Sequence, residues 1–399
     1  MNLDQLLQCV GSRSVIRYTV DLSTVSSDGI VCPPTYSPVK PEKNPYIAFR
    51  SAYVNGEQRN VVVLDSPQSQ SNRVELALLQ AHRAKRIAYP DIEIRFPKDG
   101  GFHEPVYSVL QLSHRIYDAV LRACTLDGKP FFGSEIGKSI LAARLPVATA
   151  LFEQAPATLM LGAWDSNGGG GPQSAKIPRL LTSEIIGLDA VRADLSATKF
   201  DTMDIRSQVA ELVRTNDTVL RFEIKGTKGT AEKEKKPSKF GFGSVPATAV
   251  PRAAVVSGAL QTSVLSCSGL RHISFPDADG EIDVRRDQAG RAVLGALALF
   301  GLVAQNESGY LLRSRCELLP RDAGRLELIG RTLKDVETST LDTESARTLL
   351  AEASRHAEGF GLKFREHILQ LEADDRLQEL VRRSRVAAAR GESEAADPA

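Results

Sequence analysis

The chain has 399 residues, of which 42% are hydrophobic and 25% charged, and its formal net charge is +1. This is the balance of an ordinary globular protein, long enough for one large domain with insertions or for two modest ones. A net charge of +1 is too small to attract nucleic acid by itself. A local stripe of basic residues would nevertheless be sufficient to bind phosphates. No stretch reaches the roughly 20 apolar residues of a membrane helix, and the N-terminus lacks signal-peptide character. We therefore expect a soluble, cytoplasmic protein.

The cysteines and histidines do not form a metal-binding pattern. The five cysteines include no C-x-x-C pair, and the six histidines show neither H-x-x-x-H nor H-E-x-x-H spacing. We predict no metal, no cofactor and no disulfide framework. No hydrolase motif is present, and nothing in the sequence pairs the carboxylates of Asp65, Asp165 and Asp201. The sequence therefore favours a protein without catalytic activity.

The first elements are two strands and a helix. Val15–Leu22 alternates apolar and polar residues, which predicts a half-buried strand. The β-branched run Asn60–Asp65 predicts an interior strand. A polar turn then leads into a helix predicted over Val74–Lys85, with Ser71 or Asn72 as its N-cap.

The middle of the chain ends at a glycine-rich loop. Leu110–Ala123 has helical spacing, and Gly133–Leu151 is a helix start that continues into an Ala/Leu-rich segment. Leu159–Ala163 predicts a short strand that ends at Trp164, and the loop Asp165–Ala175 follows. We interpret Trp164 as a core residue, with base stacking as the alternative.

The second half mixes strands and helices. Ala253–Cys267 and Gly309–Leu319 are β-rich, Ala292–Ala304 predicts a buried helix, and the pattern from Thr343 to about Ala389 is helical. Because strands and helices alternate irregularly, we predict an α+β fold rather than a doubly wound parallel sheet.

The helical pattern near the C-terminus suggests one boundary, and composition suggests one insertion. We predict a core with insertions over residues 1–330, and a helical C-terminal extension with a frayed tail over residues 331–399. Residues 225–239 are rich in lysine, glycine and glutamate, which predicts a mobile loop. That loop is either simply solvated or a basic arm on nucleic acid.

The sequence of Gly133–Ser139 is close to the motif of a phosphate-binding P-loop. That loop needs four residues between its glycines and a buried strand before it, whereas this segment has three residues and no such strand. We interpret it as a capped helix start, and a nucleotide-binding enzyme remains the alternative from this motif.

Two polar segments are candidate anion sites. The four glycines 168–171 allow a ligand to approach the backbone closely, and Lys176 and Arg179 follow them. The polar run Ser69–Glu75 is interpreted either as an anion site at a helix N-terminus or as ordinary capping.

Three segments together resemble one family: Leu64–Glu75, Gly162–Ser166 and Ala175–Gly187. Their order and spacing are similar to those of the backbone subunit of CRISPR Cascade complexes of type I-G, formerly I-U, a divergent Cas-seven-type RAMP protein. Lys236–Ser244 and Ser257–Arg271 fit the same family, so that the resemblance spans roughly residues 15–319.

The resemblance implies a modified RRM-like (ferredoxin-like) core with long insertions. It implies a non-catalytic subunit that polymerises along the CRISPR RNA and presents the spacer for pairing with target DNA. Its partners would be other copies of itself, a large subunit and a Cas-five/Cas-six-type subunit. A subunit that also cleaves RNA through Asp165 is the alternative within this group.

The resemblance also implies residues that contact the RNA backbone. It points to Asn72, Arg73, Ser166, Lys176 and Arg179, with Gly169 and Gly170 among the glycines that allow close approach. Arg252 and Arg271, in the polar borders of the β-rich segment, are further candidates. No aromatic-rich strand of the usual RRM type is present, which argues against stacking of RNA on a sheet face.

Overall fold

The computed structural model describes residues 1–38, 45–97, 106–165, 176–195, 200–205, 210–214, 222–224, 236–243 and 250–390. The chain divides into two compact units, one of residues 1–192 and 254–374 and the other of residues 193–253 and 375–399. Neither unit ends at residue 330, and the division predicted there stays a prediction.

The described residues form mainly short strands and a few long helices. The helices are α1 (Leu3–Ser12), α2 (Pro67–Arg83), α3 (Glu135–Ala142), α4 (Thr149–Gln154), α5 (Pro156–Leu161), α6 (Cys267–Leu270), α7 (Val284–Glu307), α8 (Thr343–Glu358) and α9 (Asp375–Arg390). The strands are β1 (Val15–Thr24), β2 (Ile30–Val31), β3 (Thr35–Tyr36), β4 (Tyr46–Ile47), β5 (Phe49–Val54), β6 (Glu57–Asp65), β7 (Ile92–Arg95), β8 (Val106–Ser108), β9 (Cys124–Leu126), β10 (Lys129–Pro130), β11 (Ala163–Trp164), β12 (Lys176–Ile177), β13 (Leu181–Leu188), β14 (Val191–Leu195), β15 (Leu212–Arg214), β16 (Phe222–Ile224), β17 (Val250–Val255), β18 (Gly258–Ser266), β19 (Tyr310–Arg313), β20 (Cys316–Pro320), β21 (Arg325–Ile329), β22 (Val336–Ser339) and β23 (Leu369–Ala373).

A nine-stranded sheet organises the first unit. Its order is β19-β20-β1-β18-β13-β6-β5, and β21 pairs with β1 and with β22. The pairings along this sheet are antiparallel. Helix α2 lies in the chain between β1 and β13, and α7 lies between β18 and β20. The mixed α+β class is therefore confirmed, and the strands predicted at Val15–Leu22 and Asn60–Asp65 are present as β1 and β6.

Helix α7 forms the centre of the core. By length and composition it could cross a membrane, but 89% of its apolar window is buried inside the protein, as expected for a core helix. Two of its glycines allow close packing, since a Cβ on Gly301 would lie 2.8 Å from Cγ1 of Val74 and one on Gly295 would lie 3.1 Å from Cδ1 of Leu6. The predicted buried helix is thus confirmed and extends beyond both predicted ends.

Helix α2 begins seven residues earlier than the periodicity indicates. Its N-cap is Ser66, whose hydroxyl accepts a hydrogen bond from the backbone N–H of Ser69, and Pro67 occupies the first turn. Proline is favoured there because its missing N–H would have no partner in any case. The prediction of Ser71 or Asn72 as the cap is wrong, and the polar run lies within the helix instead of in a loop.

Two further element predictions are wrong for local reasons. Leu110–Ala123 contains three short 3₁₀ turns instead of a helix, and Arg115 has a φ of 53° that no α-helix accommodates. Leu159–Ala163 is mostly helix α5, which ends at Gly162 with a φ of 77°.

The C-terminal part is not wholly helical. Strand β22 pairs with β21, and β23 pairs in parallel with β7 from the first hundred residues. Strand β23 alternates buried and exposed residues, which is the pattern of a strand with one covered face. The predicted tail, within residues 391–399, lies outside the described part of the chain.

The second compact unit is described only in part. Strand β15 pairs with β16, and the ring of Phe222 packs edge-on against those of Phe240 and Phe242. Most of the predicted lysine-rich loop, residues 225–235, lies outside the described residues, whereas Pro237–Phe240 forms a 3₁₀ turn.

Candidate nucleic-acid interface

A two-stranded pair, β11 and β12, carries two of the residues singled out in the sequence. Trp164 lies directly opposite Lys176 in the antiparallel register, which places their side chains on the same face about 5 Å apart at Cβ. Lys176 is exposed, and Trp164 is 60% exposed. The interpretation of Trp164 as a core residue is therefore wrong.

An open surface groove adjoins this pair. Its lining includes Ser113, His114, Arg115, Gly162, Trp164, Lys176 and Arg179. None of the described residues that line it is acidic. A groove with cationic walls and an aromatic ring at its rim can hold a phosphate and a planar group side by side.

The backbone of the groove requires a glycine at position 162. Its φ of 77° and ψ of 156° lie in a region that other residues adopt only with strain. A Cβ there would lie 2.8 Å from the backbone nitrogen of Arg179 and 3.0 Å from the carbonyl oxygen of Ile177. Because both atoms belong to the backbone, no side-chain rotation would relieve these contacts.

A buried ion pair lies beneath Gly162. The Nε and Nη2 atoms of Arg115 donate hydrogen bonds to the two carboxylate oxygens of Glu75, at 2.6 and 3.0 Å, and Nη1 donates to the carbonyl oxygen of Gly162 at 3.0 Å. Burial raises the pKa of Glu75 to about 7, although the charges of Arg115 and Arg179 lower it. This pair therefore connects helix α2 to the floor of the groove.

Arg179 is partly buried and only partly free for a ligand. Its Nε donates to the carbonyl oxygen of Leu161 at 3.3 Å. Burial lowers the pKa of its guanidinium, and the charge of Arg115 lowers it further while Glu75 raises it. The guanidinium groups of Arg115 and Arg179 thus repel each other, and the single carboxylate of Glu75 attracts both. An anion bound in the groove would reduce the repulsion between the two guanidinium groups.

Asp165 anchors the other end of β11. Asp165 is 5% exposed, and its carboxylate accepts a hydrogen bond of 2.7 Å from Nη2 of Arg122. The guanidinium of Arg122 lies 5.3 Å from the ring centre of Phe132. The two residues of β11 consequently lie between two anchored residues, Gly162 and Asp165.

Arg73 does not line the groove. Its Nε donates to Oδ2 of the fully buried Asp65 at 2.9 Å, and its Nη2 donates to the carbonyl oxygen of Leu312 at 3.0 Å. Asp65 also accepts a hydrogen bond of 2.6 Å from Gln70. The segment Leu64–Glu75 that carries the resemblance is thus largely engaged in contacts within the core.

Gln70 is the hub of a buried polar cluster. Its Oε1 accepts hydrogen bonds from Ser183, Gln261 and Gln305 at 2.8, 2.9 and 3.0 Å. Tyr310 donates to Gln261 at 2.9 Å. The cluster links α2, β13, β18, α7 and β19, which gives the polar run a structural role that capping alone does not explain.

The other predicted contact residues are scattered. Asn72 is exposed on α2, and Arg252 is exposed on β17 in the other compact unit. Arg271 donates to the carbonyl oxygens of Arg13, at 2.7 Å, and Val10, at 3.4 Å. Ser166, Gly169 and Gly170 lie outside the described residues. Of the predicted contact residues that the structure describes, only Lys176 and Arg179 lie in one groove.

The near-P-loop segment forms an ordinary helix start. A 3₁₀ turn, Phe131–Gly133, leads into α3, whose N-cap Ser134 accepts a hydrogen bond of 3.1 Å from the N–H of Gly137. The short hairpin of β9 and β10 precedes it instead of a buried strand. The described residues contain no group of three or more His, Cys, Asp and Glu arranged to hold a metal ion.

Sequence reasoning missed three contributors to this site: His114, Arg115 and Arg122. They lie in a stretch predicted as a regular helix. No local pattern marks Arg115 and Arg122, because their partners Glu75, Gly162 and Asp165 are distant in the chain. Within this stretch, Asp118 caps a 3₁₀ turn by accepting a hydrogen bond from the backbone N–H of Val120.

The comparisons with known proteins include a match to a family model and a distant solved structure. No curated protein matches the chain. The solved structure of Csc2 from Thermofilum pendens aligns with 96% of this chain and 83% of that chain, at 11% identity and a TM-score of 0.28, which is too distant to support an inference. Residues 16–192, which contain all three of the segments that carry the resemblance, match the model of the family described as CRISPR-associated protein GSU0053 (Cas_GSU0053), so this part of the chain is similar to a CRISPR-associated family.

Proposed function

We propose that the chain is a CRISPR-RNA-binding backbone subunit of a type I interference (Cascade) complex, of subtype I-G, that polymerises along the guide. One observation carries this proposal: exposed Trp164 and Lys176 lie side by side on the rim of a groove with Arg115 and Arg179, within the segment that matches a CRISPR-associated family. The subunit is proposed to act without catalysis.

The strand order supports the proposal of a modified RRM-like (ferredoxin-like) core. Strands β20-β1-β18-β13 are neighbours in that order. Helix α2 lies between β1 and β13 in the chain, and α7 between β18 and β20. Two interleaved split βαβ units would give this order, and β5, β6 and other segments would then be insertions and extensions.

The proposed division of labour follows from the chemistry of the groove. Cationic side chains bind phosphates whatever the base, so Lys176 and Arg179 hold the guide backbone without reading its sequence. Base pairing between guide and target DNA then supplies the specificity. Copies of the subunit, a large subunit and a Cas-five/Cas-six-type subunit are its proposed partners in the cytoplasm.

Two alternatives have less support. RNA cleavage by Asp165 would need an accessible carboxylate, whereas this one is buried and bonded to Arg122. Nucleotide binding at Gly133–Ser139 would need a phosphate-cradling loop, whereas Ser134 caps a short helix there. Neither arrangement favours a reaction over RNA binding.

Mass photometry of the purified protein with CRISPR RNAs of increasing spacer length tests the proposal. We expect RNA-dependent particles whose subunit number grows stepwise with spacer length. A scrambled RNA of equal length without repeat sequences is the control for non-specific coating. The proposal fails when no RNA-dependent growth occurs with the other subunits of the complex also present.

A further inference from the structure

We propose that Trp164 is a stacking platform for one unpaired base of the bound RNA, with Lys176 on the adjoining phosphate. This inference rests on the proposed function and deepens it, because it assigns a base contact to a subunit that otherwise holds only backbone. It makes the groove a subsite for a single-stranded nucleotide, which a base pair cannot occupy.

The exposure of the indole is the first observation. Trp164 is the one tryptophan of the chain and is 60% exposed. An indole can bury a large apolar area, yet this one remains at the rim of a groove. Stacking of a nucleobase on an aromatic face contributes about 1–3 kcal/mol and tolerates any base. A base on this ring would cover the surface that the fold leaves open.

The anchoring of the strand that carries the ring is the second observation. On one side, Arg115 holds the carbonyl group of Gly162, whose backbone packs closely against Arg179. On the other side, Arg122 holds the buried carboxylate of Asp165. Because both neighbours of the short β11 strand are fixed, stacking would cost little backbone ordering, and preorganisation of this kind favours binding.

The charge beside the ring is the third observation. Lys176 lies directly across from Trp164, and the described lining of the groove contains Arg115 and Arg179 but no acidic residue. The buried carboxylate of Glu75 is bonded to Arg115, and that of Asp165, next to Trp164 in the chain, is bonded to Arg122. A phosphate bound beside the ring therefore meets an excess of positive charge, and a base attached to that phosphate lies within reach of the indole.

The single tryptophan gives a direct test, because the intrinsic indole fluorescence of the protein comes from Trp164 alone. We expect single-stranded RNA to quench this fluorescence with the same Kd that fluorescence anisotropy of labelled RNA gives. Polyphosphate, which supplies phosphates without bases, should bind without comparable quenching. A preformed RNA duplex should also quench weakly. Equal quenching by polyphosphate would show that the signal reports charge and not stacking, and would overturn the inference.

Variants give the second arm of the test. Trp164→Ala should weaken binding of single-stranded RNA roughly 5- to 150-fold, the range that corresponds to one stacked base, whereas Trp164→Phe should retain most of the affinity. Tyr53→Ala, which removes another aromatic residue that is 78% exposed, is the matched control and should leave affinity unchanged.

The outcomes separate this inference from the proposed function. If RNA still assembles the subunits but fluorescence and the Trp164→Ala affinity stay unchanged, the stacking platform is refuted and the backbone role stands. If no RNA binds in either assay, the proposed function itself fails. Unchanged circular dichroism and melting temperature of Trp164→Ala would show that a loss of affinity is not a loss of fold.

Discussion

Glu75 and Arg115 form a two-point ion pair in which both carboxylate oxygens accept hydrogen bonds from one guanidinium, at 2.6 and 3.0 Å. The side chains are 3% and 10% exposed. The third bond of Arg115, to the carbonyl oxygen of Gly162, joins this pair to the strand that presents Trp164. Glu75, at the end of the segment Leu64–Glu75, therefore supports the backbone of the groove through Arg115.

Replacement of Arg115 should lower the free energy of unfolding of the protein. Arg115→Met leaves the Glu75 carboxylate buried without its partner, and we expect the free energy of unfolding to fall by about 3–5 kcal/mol. Urea denaturation of this variant, of Glu75→Gln and of the double variant would measure the coupling between the two side chains. Additive losses, with no coupling energy, would contradict the pairing.

The stability should depend on the ionisation of Glu75. Burial raises its pKa in the folded state to about 7, above the ordinary value of 4.5, so the folded state holds this proton more tightly than the unfolded state. Its contribution to stability is therefore fully present below about pH 4.5 and is lost as the pH rises through about 7. The slope is at most about 1.4 kcal/mol per pH unit.

Comparison of wild type with Glu75→Gln isolates this effect. The free energy of unfolding of the variant, measured at intervals from pH 5 to 8, should lack the decline that the wild type shows. Parallel pH profiles would mean that Glu75 does not titrate in this range.

Arg73 should matter for stability and not for RNA contact. Its guanidinium bonds to the buried Asp65 and to the carbonyl oxygen of Leu312, so Arg73→Ala should cost on the order of 3 kcal/mol in the free energy of unfolding. The neighbouring Asn72→Ala, at an exposed position, is the matched control with a small effect. If the fully folded Arg73→Ala variant bound RNA more weakly, this prediction would be wrong and Arg73 would be an RNA-contacting residue.

Lys176 should show the opposite behaviour. Lys176→Ala should leave the melting temperature unchanged but weaken RNA binding for every sequence, and should reduce the slope of log Kd against log salt by about 0.7, the value for one phosphate contact on a single strand. Lys334→Ala, at another exposed lysine, should change neither quantity. A salt slope unaltered by Lys176→Ala would remove this residue from the groove.

Gly162→Ala should be more harmful than an alanine at another glycine with positive φ. The new Cβ would lie 2.8 and 3.0 Å from backbone atoms of Arg179 and Ile177, whereas at Gly128, with a φ of 76°, nothing lies within 4 Å. We therefore expect Gly128→Ala to cost about 1 kcal/mol from backbone strain alone, and Gly162→Ala to cost more and to weaken RNA binding. Equal melting temperatures of the two variants would contradict the close approach.

Regular segments with strong periodicity were predictable from the sequence. Alternation indicated β1, the β-branched run indicated β6, and the apolar run with small residues indicated the buried helix α7. Helix starts were predictable only where the capping residue was identified. At α2 the polar run concealed the cap at Ser66, because Gln70, Ser71 and Glu75 are buried by contacts with other parts of the chain.

Sequence alone determined the class of the fold, its main strands and its core helix, because hydrophobic periodicity encodes which face of a segment is buried. It also marked Lys176 and Arg179 as candidates beside a glycine-rich loop. Only the tertiary structure decided that Trp164 is exposed. The same holds for the pairing of Arg73 with Asp65 and for the parallel pairing of β23 with β7. These outcomes depend on groups that are far apart in the chain, and no local pattern specifies which distant group a single side chain or a short strand will meet.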